Sequence, residues 1–115
     1  MPTITYRSNG SVTVKIAVTG QAVSLGSVFT GGAQTANRVD IQPLTTNTSP
    51  IIVGDYQISN TQSNGGILLN VFPYANGIPA QADIYNLELI TCLQTLFING
   101  TAGDGVTINW FIGDR

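Results

Sequence analysis

The chain has 115 residues, no histidine, one cysteine and a formal charge of −2, and only 9% of its residues are charged. That excludes the commonest general base and metal ligand, an intrachain disulfide and a cysteine-built metal site. It also denies a nucleic-acid partner the basic, aromatic-laced face that phosphate binding needs.

Thr, Ser, Asn and Gln supply 38 residues, and Ile, Val and Thr supply 36, so the chain is neutral-polar with a strong bias toward strand. No apolar run approaches the roughly 20 residues that cross a bilayer, so no membrane partner is expected. A basic-then-apolar leader is not seen either.

Residues 1–7 alternate weakly and predict an N-terminal arm or edge strand within residues 1–10, with Ser8-Asn9-Gly10-Ser11 as a turn. Val12, Val14, Ile16 and Val18 then alternate with Thr13, Lys15, Ala17 and Thr19, a half-buried strand ended by Gly20. Residues 21–29 hold one or two brief strands, and residues 30–37 a loop. Residues 38–44 predict a strand in which Pro43 marks an edge or a bulge. Ile51-Ile52-Val53 is a short buried run halted by Gly54, and residues 56–59 extend the same sheet. Residues 60–66 (NTQSNGG) form a turn cluster, residues 67–72 a strand between two layers, and residues 73–82 a Pro/Gly loop.

Residues 83–96 fit either a short helical stripe (Leu87, Ile90, Leu93) or a strand, a turn and a second strand; Ile84, Tyr85 and Phe97 favour the latter. Residues 96–112 (LFINGTAGDGVTINWFI) read as a β-hairpin. Two strand-forming runs flank a loop of Asn-Gly and Asp-Gly steps, and Val106, Ile108, Trp110 and Ile112 share one face. Short strands separated by Gly-rich turns predict a single domain over residues 1–115. It is an all-β, antiparallel β-sandwich or jelly roll of about eight strands. Its expected core is Val12, Val14, Ile16, Val18, Val39, Ile41, Ile52, Leu68, Ile98, Val106, Ile108 and Trp110.

Candidate chemistry is sparse. The acids are Asp40, Asp55, Asp83, Glu88, Asp104 and Asp114. Asp40, Asp83 and Glu88 fall in predicted strands, where Arg38 or Lys15 can pair with them. Asp104 in GTAGDGV lacks the further oxygen ligands of a calcium loop and reads as a turn residue bonding its own backbone. Gly100-Thr101-Ala102-Gly103-Asp104-Gly105 lacks the Lys-Ser/Thr ending of a phosphate loop. No catalytic residue, cofactor site or metal site is therefore assigned, and no enzyme is expected. Asn9, Asn47 and Asn99 head Asn-x-Ser/Thr sequons in predicted turns. Cys92 reads as a small buried hydrophobe. Tyr56, Phe72, Tyr74 and Tyr85 lie near loop ends, where they can stack on a sugar or dock a partner.

A surface of Thr, Asn, Gln and Gly loses water cheaply when paired, which suits protein–protein packing and a homo-oligomer. The segments VDIQPLTTNTSPIIVGDYQIS, SNGG and LFINGTAGDGVTINWFIG carry a resemblance. Residues 44–48 (Leu-x-Thr-Asn-Thr), 50–54 (Pro-Ile-x-Val-Gly) and 98–106 resemble small β-sandwich virion proteins of tailed bacteriophages, namely head decoration (cement) and fibre-associated proteins. The chain departs from that pattern at Gly77-Ile78-Pro79-Ala80-Gln81, where the family carries a Pro-Gly-acid turn. The resemblance implies a non-enzymatic capsid decoration protein, often trimeric, bound to the major capsid protein on the assembled head. A tail or fibre subunit and a carbohydrate-binding module are the alternatives.

Overall fold

The structure, a computed structural model, describes residues 5–29, 35–59, 61, 65–72, 77, 81–88 and 91–114. Among them, the strands of the first sheet are β1 (Thr5–Lys15), β4 (Arg38–Pro43), β9 (Tyr85–Leu87) and β12 (Gly105–Asp114), in the order β1-β12-β4-β9. The second sheet contains β2 (Val23–Ser24), β5 (Ile51–Gly54), β6 (Ile67–Leu69) and β11 (Phe97–Asn99), in the order β2-β11-β5-β6. Two ribbons complete the set: β3 (Thr35–Ala36) with β10 (Thr91–Cys92), and β7 (Val71–Phe72) with β8 (Gln81–Ala82). Every pairing is antiparallel. Single 3₁₀ turns at Leu25–Val28 and Leu93–Thr95 are the described helical segments. The fold is all-β and sandwich-like, with eight strands in its two main sheets.

Residues 83–96 contain two strands, as the Tyr85 side favours, but β9 and β10 join different sheets and a 3₁₀ turn follows.

One core fills the space between the sheets. β12 lies at the centre of the first sheet, so Ile108 stands between Val12 and Ile41, and Val106 and Trp110 continue its inner face. Ile51, Val53, Leu69 and Ile98 meet them from the second sheet. The Trp110 ring meets Phe29 edge-on, 5.0 Å between centroids. Gly10 opposite Trp110 leaves room for the indole, since a Cβ there would fall 2.8 Å from the ring. Pro43 ends β4 beyond the reach of β9, which pairs only Val39 to Ile41, so the missing N–H breaks no ladder.

Three expectations are corrected. First, residues 8–11 are not a turn: β1 is continuous, with a bulge between the Ser8–Phe111 and Gly10–Trp110 pairs. Second, Val18 and Leu68 leave the core, at 55% and 39% exposure. β1 stops at Lys15 and the chain turns, with Gln21 N–H donating to the Val18 carbonyl. In β6 the inward residue is Leu69, so period two turns Leu68 outward, opposite Ile52. Ile52 is nevertheless buried, because Gly66 lies so close that a Cβ on it would sit 2.5 Å from the Ile52 side chain.

Third, residues 96–112 are not a hairpin. β11 pairs β2 and β5, whereas β12 pairs β1 and β4, so the intervening loop is an arch from one sheet to the other. Residues 56–59 likewise do not extend the sheet but turn back over it. Residues 1–4, 30–34, 60, 62–64, 73–76, 78–80, 89–90 and 115 lie outside the described residues, and with them parts of the predicted arm and loops.

Candidate functional site

The arch is fastened by two buried polar side chains, Asn99 and Asp104. Asn99 is fully buried on the outer side of β11, because Ile98 takes the inner side. Its Nδ2 donates to the carbonyls of Gly20 at 3.0 Å and Ile58 at 2.8 Å, and its Oδ1 accepts from Gly100 N–H at 2.8 Å. One side chain thus satisfies three backbone groups in three separate loops.

Asp104 closes the other end. Its carboxylate accepts the backbone N–H of Thr48 at 3.0 Å and of Ser49 at 3.1 Å, together with the Thr48 hydroxyl. It is therefore not a turn aspartate bonding its own backbone: its partners lie more than fifty residues earlier. The Asp104 carbonyl also accepts from Ile16 N–H, and Asn47 bonds both the N–H and the carbonyl of Gly105. Asn47 so continues the ladder where β4 has ended. Gly105 is required there, since a Cβ would fall 2.3 Å from the Val14 carbonyl oxygen.

Beside the arch, on the outer side of the second sheet, is a cleft of about 260 Å³. Ser49, Pro50 and Ile52 form one side, Gly100 and Thr101 another, and Thr61 and Leu68 the rest. No charged side chain lines it. Leu68, at 39% exposure, is its apolar side on β6.

The remaining candidates are dispersed. Arg38 holds Asp40 through two bonds of 3.0 and 3.2 Å and reaches Glu88 at 3.7 Å, so these two acids meet on one guanidinium. Asp55 accepts from Gln57 N–H within a turn, and Asp83 from Asn70 N–H. No group of three Cys, Asp or Glu side chains suited to a metal occurs among the described residues. No described helix is long and apolar enough to cross a membrane. Asn47 and Asn99 have their amides engaged, which removes both as glycan acceptors in the folded chain; the Asn9 side chain is outside the described ones. Cys92 is half-buried and donates to Gln94 Oε1. Tyr56 is exposed, Tyr85 packs against the core, and Phe72 and Tyr74 have no described side chains.

Sequence reasoning missed the Asn99 and Asp104 fastenings and the cleft. The signal available was the coincidence of three motifs, residues 44–48, 50–54 and 98–106, which the arch brings together. Comparison of the chain with protein-family models, with curated proteins and with solved structures gives no match.

Proposed function

We propose that this chain is a non-enzymatic structural protein of a tailed-phage virion. It is a decoration protein that binds the major capsid protein of the assembled head as a closed homo-oligomer, a trimer. The observation that carries this reading is the outer side of the second sheet, where Leu68 stands exposed on an edge strand beside an uncharged cleft. Such a surface loses water at little cost and offers an apolar centre with hydroxyls around it, the make-up of a protein interface.

The motifs of the phage resemblance form the arch and the cleft, which supports the same reading. A head presents many identical sites, so an oligomer with several weak contacts gains avidity without a strong single one. Closed symmetry leaves no adhesive end. Assembly takes place in the host cytoplasm, and the mature location is the capsid surface.

Immunogold labelling of purified virions of the encoding phage tests this. Gold confined to heads is expected; gold on tails or fibres, or on no particle, contradicts it. Light scattering coupled to size exclusion is expected to give about 36 kDa, three times the 12.1 kDa chain; a monomer persisting at high concentration contradicts the trimer.

A further inference from the structure

The second sheet ends at β6, with no described strand beyond it. In an antiparallel ladder the backbone N–H and C=O of successive residues point to opposite sides, so one bond fixes the side for every residue. Leu25 N–H donates to the Leu96 carbonyl, which turns Ile98 toward β2 and Phe97 and Asn99 toward β5. By the register, Ile52 and Gly54 then face β11, Ile51 and Val53 face β6, and Ile67 and Leu69 face β5. Leu68 is left with its N–H and C=O pointing out of the sheet.

Two residues on, the same side is already in use. Asn70 gives its N–H to Asp83 Oδ2 at 2.8 Å, and its carbonyl accepts the Asp83 N–H at 3.0 Å. These bonds extend the antiparallel pairing of β7 with β8. Continued, that register brings Tyr85 opposite Leu68, but Tyr85 pairs with Ile41 in the first sheet. The chain has crossed between the sheets, and the two main-chain groups of Leu68 have no partner among the described residues.

We propose that a short extended segment of the partner protein fills this place, adding a strand to β6 with main-chain bonds at Leu68. The proposal rests on the docking reading above and names the form its partner takes at the same surface. A donor and an acceptor side by side on a strand edge are both met by another extended backbone. A second copy of β6 does not fit in a symmetric pair centred on Leu68, because its Gly66 falls opposite Asn70, where Asp83 already sits. The Leu68 side chain lines the cleft, and the partner residue directly opposite shares that face. Hydroxyls of Ser49, Thr61 and Thr101 line the cleft and no charged side chain does, so that residue is uncharged. Main-chain bonding is indifferent to sequence; the cleft supplies the selection.

Purified heads lacking the protein, mixed with the full chain and pelleted, test the proposal. Leu68→Ala removes the side chain alone. Leu68→Pro also removes the outward N–H, which the ladder to β5 does not use. Both are expected to fold, read from urea unfolding, and Leu68→Pro to bind heads about tenfold more weakly than Leu68→Ala. Equal binding by the two overturns the strand pairing and leaves docking on heads standing. In the wild-type chain the Leu68 amide is expected to exchange hydrogen fast when free and at least about tenfold more slowly on heads. Ile67 and Leu69, bonded to β5, are protected in both states. The exchange comparison decides the matter if Leu68→Pro does not fold: a Leu68 amide equally fast on heads, or already protected in the free chain, overturns the proposal. A wild-type chain that does not pellet with heads contradicts the docking reading and this inference together.

Discussion

Ile108→Ala is expected to cost about 2–5 kcal/mol of stability, because it removes a fully buried side chain from the central strand and leaves a cavity. Ile108 has Val12 on one flank and Ile41 on the other, both held in register by continuous ladders, so collapse around the void is restricted. Urea unfolding measures it. A change below about 0.5 kcal/mol would show that β12 does not face the core as described.

Asn99→Asp should be at least as damaging, although it changes only an amide to a carboxylate. At Asn99 the Nδ2 group donates to two carbonyl oxygens at 2.8 and 3.0 Å. A carboxylate oxygen there faces both with no proton to offer, and it is fully buried. The expected cost at neutral pH is about 3–5 kcal/mol, the range for a buried charge left without compensation. Asn99→Ser, which keeps a small polar group without the charge, is expected to cost less. Equal stability of Asn99→Asp and wild type in urea would contradict the hydrogen bonding assigned to the arch.

These two positions also mark what a sequence discloses and what it does not. Ile108 was legible because strand alternation is local: Val106, Ile108 and Trp110 repeat every second residue, and one side must be inside. The same rule read Val39 and Ile41 correctly. It failed at Val18, where the strand had already ended, and at Leu68, where a run of three apolar residues carries no parity of its own.

The arch was misread for a different reason. The run from Asn99 to Gly105 has the composition of a hairpin loop, and composition says nothing of partners. What turns it into a sheet-to-sheet crossing is the binding of Asp104 to Thr48 and Ser49, and of Asn99 to Gly20 and Ile58. Both are contacts between loops far apart in the chain. For the same reason the cleft could not be foreseen, since Ser49, Leu68 and Thr101 become neighbours only once the two sheets are stacked.

The central claim is that the chain docks on an assembled head through an uncharged surface of the second sheet, and sedimentation measures it directly. Purified heads lacking the protein are mixed with the chain and pelleted at about 0.1 M and about 1 M salt, between which electrostatic screening shortens from about 10 Å to about 3 Å. Docking that uses Leu68 and the cleft predicts saturable binding that is the same at both salt concentrations, and about tenfold weaker for Leu68→Ser. A chain that stays in the supernatant, or that the higher salt releases, would contradict it.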